Sequence, residues 1–432
     1  MHIFTNCAPD LLIDNHVEKV DVVVLGNLCV DILLPAATIP PEVALKTETF
    51  LSSLAAEVPS EQSWEVGGNC NFLIAASRIG LRCACIGHIC DDKYGSFLRK
   101  VLAEEGILVH HLAPPKGVVL ARSDTLQTLL CFVLTDGFGK HAFCSRYDIG
   151  PWPLLPDIGQ LDYTTELALS MCSAVVVNGF VFDELGTAAV QIAVKVAKDS
   201  DAGIIFDPGP RAFSFSIDND RREILKQVLS AANVVLATVD EAAALVDFDD
   251  MGLPLKLADG SENARLPKVL AQALWTRPYC VAEWIVIKCG PDGAVLFTRD
   301  GLEIFVGSPS VDVADTVGCG DSAAAAIVLG YLNIKKARQQ ARSEKGSEDL
   351  SKEILVHMLE ETLTLATAVG AATAMRAGAG RNVATAKLVR TLLSKCIGSV
   401  HQDPGGFAIS SRAAEQAMHV LDSSLRTHLR KR

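Results

Sequence analysis

The segment Asp315-Thr316-Val317-Gly318-Cys319-Gly320-Asp321-Ser322 has the residue types and spacing best suited to chemistry. It leads directly into residues 323–329, an apolar run that favours a helix. A glycine-rich turn that opens into a helix presents unpaired backbone N–H groups and the positive end of the helix dipole. Such a terminus can bind a phosphate group. We therefore predict an anion site at the amides of Gly318, Cys319 and Gly320.

Asp321 stands at the start of this predicted helix, and two roles are open for it. As an N-cap, its carboxylate would accept hydrogen bonds from the first helical N–H groups. As a general base, it would accept the proton of an attacking hydroxyl group while the amides hold the transferred phosphoryl group. The short Gly-x-Gly-Asp fragment does not decide between the two roles.

The wider sequence resembles the pfkB family of ribokinase-like carbohydrate and nucleoside kinases, in a plant-type form. Residues 315–321 are similar to the family's C-terminal signature, Asp-Thr-x-Gly-Ala-Gly-Asp, and the resemblance runs in order from about residue 21 to residue 382. The other similar segments are Gly26-Asn27-Leu28-Cys29-Val30-Asp31, Gly67-Gly68-Asn69-Cys70-Asn71, Ile79-Gly80, Asp91-Asp92-Lys93-Tyr94-Gly95, Asp207-Pro208-Gly209-Pro210-Arg211, Lys288-Cys289-Gly290-Pro291-Asp292-Gly293 and Ala377-Gly378-Ala379.

The resemblance implies an ATP-dependent kinase that transfers the γ-phosphate to a hydroxyl group of a sugar, a nucleoside or a related polyol. Asp321 would be the catalytic base, assisted by the amides of residues 318–320. The substrate-binding residues would be Asn27, Asp31, Gly67, Gly68 and Asn71. The nucleotide-binding residues would be Thr238, Glu241, Lys288, Gly290, Thr367 and Gly378.

Two ions enter through the same resemblance. Mg²⁺ would bridge the ATP phosphates largely through water, organised by Glu241, which matches the acid of the family motif Asn-x-x-Glu. Asp315 either pins the anion-binding turn or, as in some relatives, contributes to a site for a monovalent cation such as K⁺. A rate that does not depend on potassium would argue against the second role.

The sequence departs from the family pattern at several of these positions. Thr238 replaces the Asn of Asn-x-x-Glu, which predicts weaker organisation of the metal. The loop that contains Gly67 and Gly68 is one residue shorter than usual, which alters the substrate pocket. Lys288 stands where many relatives have Thr, and it either contacts a nucleotide phosphate or is a solvated charge at the end of a strand.

Cys319 replaces the usual Ala of the signature. Only its N–H group is needed for phosphate binding, so its side chain is free to vary. Because a thiol at a helix N-terminus tends to have a lowered pKa, one hypothesis is an oxidant-sensitive Cys319 that ATP shields. The alternative is a buried, inert cysteine.

Two other functions were considered. The first is a catalytically weak or inactive family member that acts as a structural or regulatory component of a protein assembly, as some plant relatives do in plastid gene expression. The altered substrate loop and Thr238 keep this option open, whereas Asp321 and Asp31 favour activity. The second is a nicotinamide-dependent oxidoreductase, which residues 26–31 argue against because they lack Gly-x-Gly-x-x-Gly.

Short β-branched runs alternate with stretches of helical length, at residues 22–25, 83–86, 174–177, 203–206, 234–236 and 284–287. This alternation predicts an α/β three-layer sandwich, with a mainly parallel sheet between helices. Residues 128–134 and 140–146 predict a hairpin around Asp136-Gly137-Phe138-Gly139. With neighbouring segments near 32–66 and 112–147, the hairpin would form a small β lid over the site, or an edge hairpin without function.

These elements predict one kinase domain over residues 1–399 and a C-terminal appendage over 400–432. Residues 337–353 are polar and charged, which predicts an exposed connection between two helices. No apolar run has the length of a membrane span, and the N-terminus lacks the pattern of a secretory signal.

The chain has 432 residues, 49% of them hydrophobic, and a formal net charge of −12, without a dense basic block. This composition allows a large core and argues against nucleic acid or an anionic membrane as the main partner. Its 13 cysteines include no Cys-x-x-Cys pair, which favours reduced thiols. We expect a cytoplasmic protein, with a plastid form still open, and a homodimer through the lid as a further possibility.

Overall fold

The computed structural model describes residues 19–56, 59–112, 127–137, 140–156, 158, 161–216, 219–247, 266–345, 349–397 and 409–431. The strands in chain order are β1 (Val22–Leu25), β2 (Leu28–Pro35), β3 (Trp64–Gly68), β4 (Cys83–Gly87), β5 (Leu108–His111), β6 (Leu130–Thr135), β7 (His141–Ser145), β8 (Ala174–Asn178), β9 (Gly203–Asp207), β10 (Val234–Thr238), β11 (Trp284–Lys288), β12 (Ala294–Thr298) and β13 (Glu303–Val306).

The helices in chain order are α1 (Glu42–Leu45), α2 (Glu48–Ala56), α3 (Cys70–Arg78), α4 (Lys93–Glu104), α5 (Arg146–Ile149), α6 (Tyr163–Met171), α7 (Val181–Glu184), α8 (Thr187–Asp199), α9 (Asn219–Leu229), α10 (Val239–Asp247), α11 (Pro267–Thr276), α12 (Cys319–Lys345), α13 (Lys352–Ala374), α14 (Ala386–Cys396) and α15 (Ser411–Lys431). Short 3-10 turns add residues 61–63, 209–214, 290–292 and 380–382.

Nine of the described strands form one large sheet in the order β13-β12-β11-β10-β9-β8-β1-β4-β5. From β11 to β5 neighbouring strands are parallel, and β12 and β13 add an antiparallel edge. All six predicted strands of this sheet are present. They are apolar on both faces, as parallel strands covered by helices must be.

The sheet lies between two helical layers. Along β1, Val22 and Val24 pack into one hydrophobic core, which α3, α12 and α13 complete. Val23 and Leu25 point to the opposite face, where α8 and α9 complete a second core. Alternate side chains of one strand thus enter different cores, which is the expected result of the two-residue period of a strand. The predicted three-layer sandwich is confirmed.

A separate small sheet has the order β3-β2-β6-β7. We call these four strands the small sheet. The predicted hairpin is present as the antiparallel pair β6 and β7, and β2 joins it in parallel. Gly67 and Gly68, predicted to lie in a loop, are the last residues of β3. Residues 113–126 and the turn residues 138 and 139 lie outside the described residues.

The prediction of an exposed connection over residues 337–353 is wrong for most of its length. Helix α12 continues to Lys345 and α13 begins at Lys352. The polar residues of this segment are mainly Lys, Arg, Gln and Glu, which are good helix formers, so their charge does not end the helix. Arg338 also binds Glu283 and Asp349, which ties this end of α12 to the rest of the molecule.

Helix α13 is the one described helix that could cross a membrane by length and composition alone. Its most apolar window is 67% buried inside the structure, so its apolar character is explained by the core. Helix α15 packs on α13 and α14 with Ala414, Ala417 and Leu421 fully buried. The predicted boundary at residue 399 lies outside the described residues, and the domain division stays a prediction.

Candidate active site

A cavity of about 840 Å³ opens at the carboxyl ends of β9, β10 and β11. Asp207, Thr238 and Lys288 are the last residues of these three strands, so adjacent parallel strands deliver three polar side chains to one place. Ligands of open α/β sheets bind at this edge. The N-terminus of α12 faces the same cavity with Cys319, Gly320 and Asp321.

The cavity has a polar part and an apolar part. The polar part contains the strand ends, Glu241 and the first turn of α12. The apolar part is lined by Leu236, Val286, Val311, Ile327, Leu363 and Ala371. Thr367 and Gly290, two of the predicted nucleotide-binding residues, also line the cavity. A cavity lined by both apolar and charged residues fits a molecule that carries both a base and phosphate groups.

The carboxylate of Asp321 is partly buried in the wall of this cavity. Burial, followed by the nearby carboxylate of Asp207, raises the pKa of Asp321 to about 6, although Lys288 and Asn71 act in the opposite direction. The carboxylate is therefore mostly ionised at neutral pH but close enough to titration to accept and release a proton. This is the pKa range expected of a general base.

Asn71 connects Asp321 to the other half of the predicted site. Its Nδ2 donates a hydrogen bond of 3.2 Å to Asp321 Oδ2, and its Oδ1 accepts one of 2.8 Å from the N–H of Gly380. Gly318 lies beside it, with a positive φ of 78° that suits glycine. Asn71, in the first turn of α3, therefore reaches the anion-binding turn, although the loop with Gly67 and Gly68 that precedes it is short.

Asp31 lies in the middle of β2 and is only 7% exposed. A Cβ atom on Gly67 would stand 2.0 Å from Asp31 Oδ1, so only glycine at this position leaves room for the carboxylate. Burial raises the pKa of Asp31 to about 7, with further contributions from Glu65 and Asp321. The strand pairing places Asp31 opposite Glu65, whose carboxylate binds Arg381 at 3.0 Å.

Lys288 is held by a carboxylate that the sequence analysis did not assign to the site. Its Nζ donates to Asp207 Oδ2 at 2.8 Å, and Asp207 Oδ1 accepts from the N–H of Gly209. Burial lowers the pKa of Lys288, but Asp207 and Glu241 raise it more, so the ammonium form is favoured. The Nζ lies 3.6 Å from the point where a Cβ on Gly320 would be, so the cation faces the anion-binding turn.

Thr238 and Glu241 form a reciprocal pair of hydrogen bonds at the start of α10. The N–H of Thr238 donates to Glu241 Oε2 at 2.7 Å, and the N–H of Glu241 donates to Thr238 Oγ1 at 3.3 Å. This is a capping box, in which each side chain satisfies a backbone donor of the helix end. Both residues line the cavity, but one oxygen of Glu241 is engaged in the cap.

Asp315 is 7% exposed and holds the turn that precedes α12. Its Oδ1 accepts from the N–H of Val317 at 3.0 Å, and its Oδ2 accepts from the N–H of Gly378 at 2.8 Å. His141, from β7 of the small sheet, lies 3.5 Å from the same Oδ2. These contacts favour the turn-pinning role of Asp315 over the role of a cation ligand.

The hypothesis of a low thiol pKa at Cys319 is wrong. Burial, and after it the carboxylates of Asp315 and Asp321, raises the pKa of Cys319 to about 12. Burial and the two flanking acids therefore favour the protonated thiol. Its N–H donates to the carbonyl of Thr316 at 3.3 Å, within the turn.

The fold and this geometry can be compared with known proteins. The family model described as pfkB family carbohydrate kinase matches residues 42–386, which is most of the chain. The chain belongs to the pfkB family of carbohydrate kinases. It is therefore a kinase.

Individual relatives agree with this family. The 5-dehydro-2-deoxygluconokinase of Bacillus licheniformis is 24% identical over 325 residues, covering 74% of this chain and 86% of the relative. An E. coli protein assigned as ribokinase II, solved with ATP and Mg²⁺, has a TM-score of 0.58 and 20% identity over 87% of this chain and 99% of its own. The ribokinase of Arabidopsis thaliana, solved with ribose and ATP, has a TM-score of 0.57 and 16% identity over the same shares.

The predicted site residues of this pfkB kinase divide into three groups in space. Cys319, Gly320, Asp321, Thr238, Glu241, Lys288, Gly290 and Thr367 line the cavity. Asn27, Asp31, Gly67, Gly68 and Asn71 gather along the pair β2 and β3 of the small sheet and at the start of α3. Gly318 belongs to the anion-binding turn, and Asp315 joins this turn to Gly378 by a hydrogen bond; none of the three is among the lining residues.

Proposed function

We propose that this pfkB kinase transfers the γ-phosphoryl group of ATP to a hydroxyl group of a sugar, a nucleoside or a related polyol. The observation that carries the proposal is the position of Asp321. Its carboxylate stands in the wall of the nucleotide-sized cavity and is hydrogen-bonded by Asn71, which belongs to the group around Asp31. Asp321 therefore lies between the two predicted binding regions, where a base must lie to serve both.

The chemistry follows from the ionisation states. Asp321, mostly ionised at neutral pH, accepts the proton of the acceptor hydroxyl as its oxygen attacks the γ-phosphorus, and the bond to the β–γ bridging oxygen of ATP breaks. The Lys288 ammonium faces the start of α12, and with the N–H groups of Gly320 and Asp321 it would stabilise the charge of the transferred group. Preorganised donors of this kind usually supply the largest share of catalysis.

The cavity fits ATP with Mg²⁺. Its apolar lining residues suit an adenine ring, and its charged lining residues include Lys288 and the carboxylates of Asp207 and Glu241. These carboxylates would hold the metal largely through water, and bound Mg²⁺ would neutralise charge on the phosphate oxygens. Potassium dependence through Asp315 stays a prediction, tested by comparing rates in KCl and in tetramethylammonium chloride.

Asp31 supports an acceptor rich in hydroxyl groups. A buried carboxylate that has no cation partner among the described residues accepts hydrogen bonds from hydroxyl groups and disfavours a negative charge beside it. The cations nearest to the two binding regions are engaged, since Arg381 binds Glu65 and Lys288 binds Asp207. A neutral sugar or nucleoside therefore suits the described part of the site better than a sugar acid.

The test is ADP formation by the full chain with MgATP and a panel of D-fructose, D-ribose, myo-inositol, adenosine and 5-dehydro-2-deoxygluconate. We expect turnover of at least one neutral acceptor and its loss in Asp321→Asn. Turnover that survives in Asp321→Asn would contradict the role of the base.

The alternative is a catalytically weak family member that serves as a component of a protein assembly. One observation favours this alternative: Thr238 and Glu241, which would organise the metal, are already hydrogen-bonded to each other in the capping box. Binding of MgATP without turnover of any acceptor would support this alternative, and co-purification of the chain from its source would then identify the assembly.

A further inference from the structure

The chain enters and leaves the small sheet beside one buried carboxylate. It enters β2 through Gly26 and Asn27, both with left-handed backbone, at φ values of 64° and 55°. It leaves β7 through α5, which contains Tyr147. Between these two crossings, at the end of α7, lies Glu184, which is 0% exposed.

Both crossings donate a hydrogen bond to the same oxygen of Glu184. The N–H of Asn27 donates to Oε2 at 2.5 Å, and the hydroxyl of Tyr147 donates to Oε2 at 2.6 Å. Tyr147 is only 2% exposed, so water does not compete for these bonds. The other oxygen, Oε1, has no hydrogen-bond partner among the described residues. The two crossings are thus joined through a single atom.

A third crossing, where β3 leads into α3, is tied to the first. The N–H of Asn69 donates to the carbonyl of Asn27, and Asn69 Nδ2 donates to the carbonyl of Gly26 at 2.8 Å. Asn178, at the end of β8, donates to Asn69 Oδ1 at 2.8 Å. Asn71 follows Asn69 by two residues and binds Asp321, so the catalytic base is connected to the same set of bonds.

Helix α7, which carries Glu184, is itself anchored to residues outside the small sheet. Its neighbour Asp183 is 1% exposed and binds Arg211 at 2.9 Å and Arg221 at 2.6 Å. The carbonyls of Asp183 and Glu184 accept from the N–H groups of Leu154 and Leu155. Glu184 is therefore a fixed point against which the small sheet is held.

From this geometry we propose that Glu184 is the positioning residue of the small sheet, and that its bonds to Asn27 and Tyr147 hold the sheet over the acceptor site. The consequence for catalysis rests on the proposed kinase function. Asp31 follows Asn27 by four residues on β2, so the position of the substrate carboxylate depends on the entry crossing. Weakening the hydrogen bonds to Glu184 Oε2 lets the small sheet move. The nucleotide cavity keeps its shape, because Glu184 does not line it.

Hydrogen–deuterium exchange of the full-length protein without ligand tests this role directly. Tyr147→Phe removes one donor without changing shape, and Glu184→Gln removes the charge of the acceptor. At pH 8, where Glu184 is mostly ionised, we expect amides of β2, β6 and β7 to exchange about tenfold faster or more in both variants, which corresponds to about 1.4 kcal/mol. The exchange rates of amides in β8, β9 and β10 should change by less than about twofold, because these strands belong to the large sheet, which does not depend on the Glu184 bonds.

Tyr331→Phe is the matched control. Tyr331 is 5% exposed, packs on Trp284 and hydrogen-bonds Glu283, far from the small sheet in the fold. We expect this variant to leave exchange of the small sheet unchanged. As a second readout, we expect the Kd for MgATP to stay within about twofold of wild type in the Glu184 and Tyr147 variants, because neither residue lines the cavity. A twofold change corresponds to about 0.4 kcal/mol.

The outcomes separate a positioning role from a general structural one. Equal acceleration in all strands, or no acceleration of the small sheet in either variant, would overturn the proposal. Because exchange is measured without acceptor, failure of the kinase assignment would appear only in the turnover panel on the wild-type chain. If the wild type shows no turnover but the variants loosen only the small sheet, the proposed function is refuted and the positioning role of Glu184 is supported.

Discussion

The side-chain amide of Asn71 bridges the Asp321 carboxylate and the N–H of Gly380, at 3.2 Å and 2.8 Å. The three residues are far apart in the chain and belong to α3, α12 and the turn before α14. Its NH₂ group donates to Asp321 while its oxygen accepts from Gly380, so the orientation of the amide is fixed at both ends. Asn71 thereby sets the direction of the Asp321 carboxylate and favours its ionised form.

Asn71→Asp should shift the pH dependence of catalysis. A second carboxylate at hydrogen-bond distance disfavours ionisation of Asp321, so we expect the acidic limb of kcat/KM to move up by about 1–2 pH units. The measurement is kcat/KM for MgATP from pH 5 to pH 9. Asn382→Asp, in the same turn as Gly380 but bonded to the Ala377 carbonyl, is the control and should leave the limb in place.

Asp321→Asn should reduce turnover by about 10²–10⁴-fold, the usual contribution of a general base, while MgATP binding is retained. In the wild type the base must be ionised, and its pKa is raised to about 6, so activity should fall about tenfold per pH unit below pH 6. Asp312→Asn changes an exposed carboxylate of the same loop and should have wild-type kinetics. A pH-independent rate between pH 5 and pH 7 would contradict this role.

The large sheet was predictable from sequence because its strands are short β-branched runs buried on both faces. β5, β12 and β13 were not predicted. In β13 the exposed Glu303 and Phe305 alternate with buried residues, and β5 is partly exposed, so neither is a continuous apolar run; β12 is buried throughout and was missed. The end of α12 was also misjudged, since charge marks exposure and not the end of a helix.

The anion-binding turn was predictable because glycine spacing and a following helix are local signals. The partners of its side chains were not, because they come from distant strands. The sequence leaves two roles open for Lys288, and the structure places Asp207 beside it. The sequence signals for Asp207 are its place after a predicted strand and the resemblance of residues 207–211 to a family segment, and neither indicates that it pairs with Lys288. Thr238 and Glu241 have a spacing that also encodes a helix cap, so sequence could not separate metal organisation from capping.

Lys288→Met should affect both activity and stability. Loss of the cation that faces the anion-binding turn should lower kcat by about 10²–10³-fold, as for removal of one transition-state donor. It also leaves Asp207, which is 9% exposed, without its partner, at a cost of about 3–5 kcal/mol in the free energy of unfolding. Adding Asp207→Asn to Lys288→Met should restore stability but not kcat.

Urea unfolding and ADP formation measure these two effects on the same preparations. Lys268→Met breaks an exposed ion pair with Glu303 and serves as the control, with an expected change below about 1 kcal/mol. If the double variant recovers kcat, the lysine acts only through the fold, and its assignment to the phosphate is wrong.

Cys319 should behave as an inert thiol. With its pKa raised to about 12 by burial and by Asp315 and Asp321, almost none of it is thiolate at pH 7.5, and the thiolate is the reactive form. We expect iodoacetamide to label it with a half-life no shorter than that of the buried Cys85, followed by mass spectrometry of the peptides. Cys319→Ala should keep kcat within about twofold, because the variant keeps the N–H that closes the turn on Thr316 and the thiol has no role in the proposed transfer. A twofold loss corresponds to under about 0.5 kcal/mol.

The free energy of unfolding should fall as the pH rises through neutrality. Burial raises the pKa of both Asp31 and Glu184 to about 7 in the native state, above their unfolded values near 4. Between pH 4 and pH 7 the native state therefore binds more protons than the unfolded state. This contribution is fully present below the unfolded pKa values near 4 and is lost as the pH rises through about 7.

Comparison with Glu184→Gln isolates one of these protons. The variant has no carboxyl to titrate, so between pH 5 and pH 7 its unfolding free energy should fall less steeply than that of wild type, by up to about 1.4 kcal/mol per pH unit. Urea unfolding at pH 5, 6, 7 and 8 measures the difference. Glu283→Gln, whose side chain is 43% exposed, is the control and should run parallel to wild type. Parallel curves for Glu184→Gln and wild type would show that Glu184 has the same pKa in the native and the unfolded state, which would contradict the prediction.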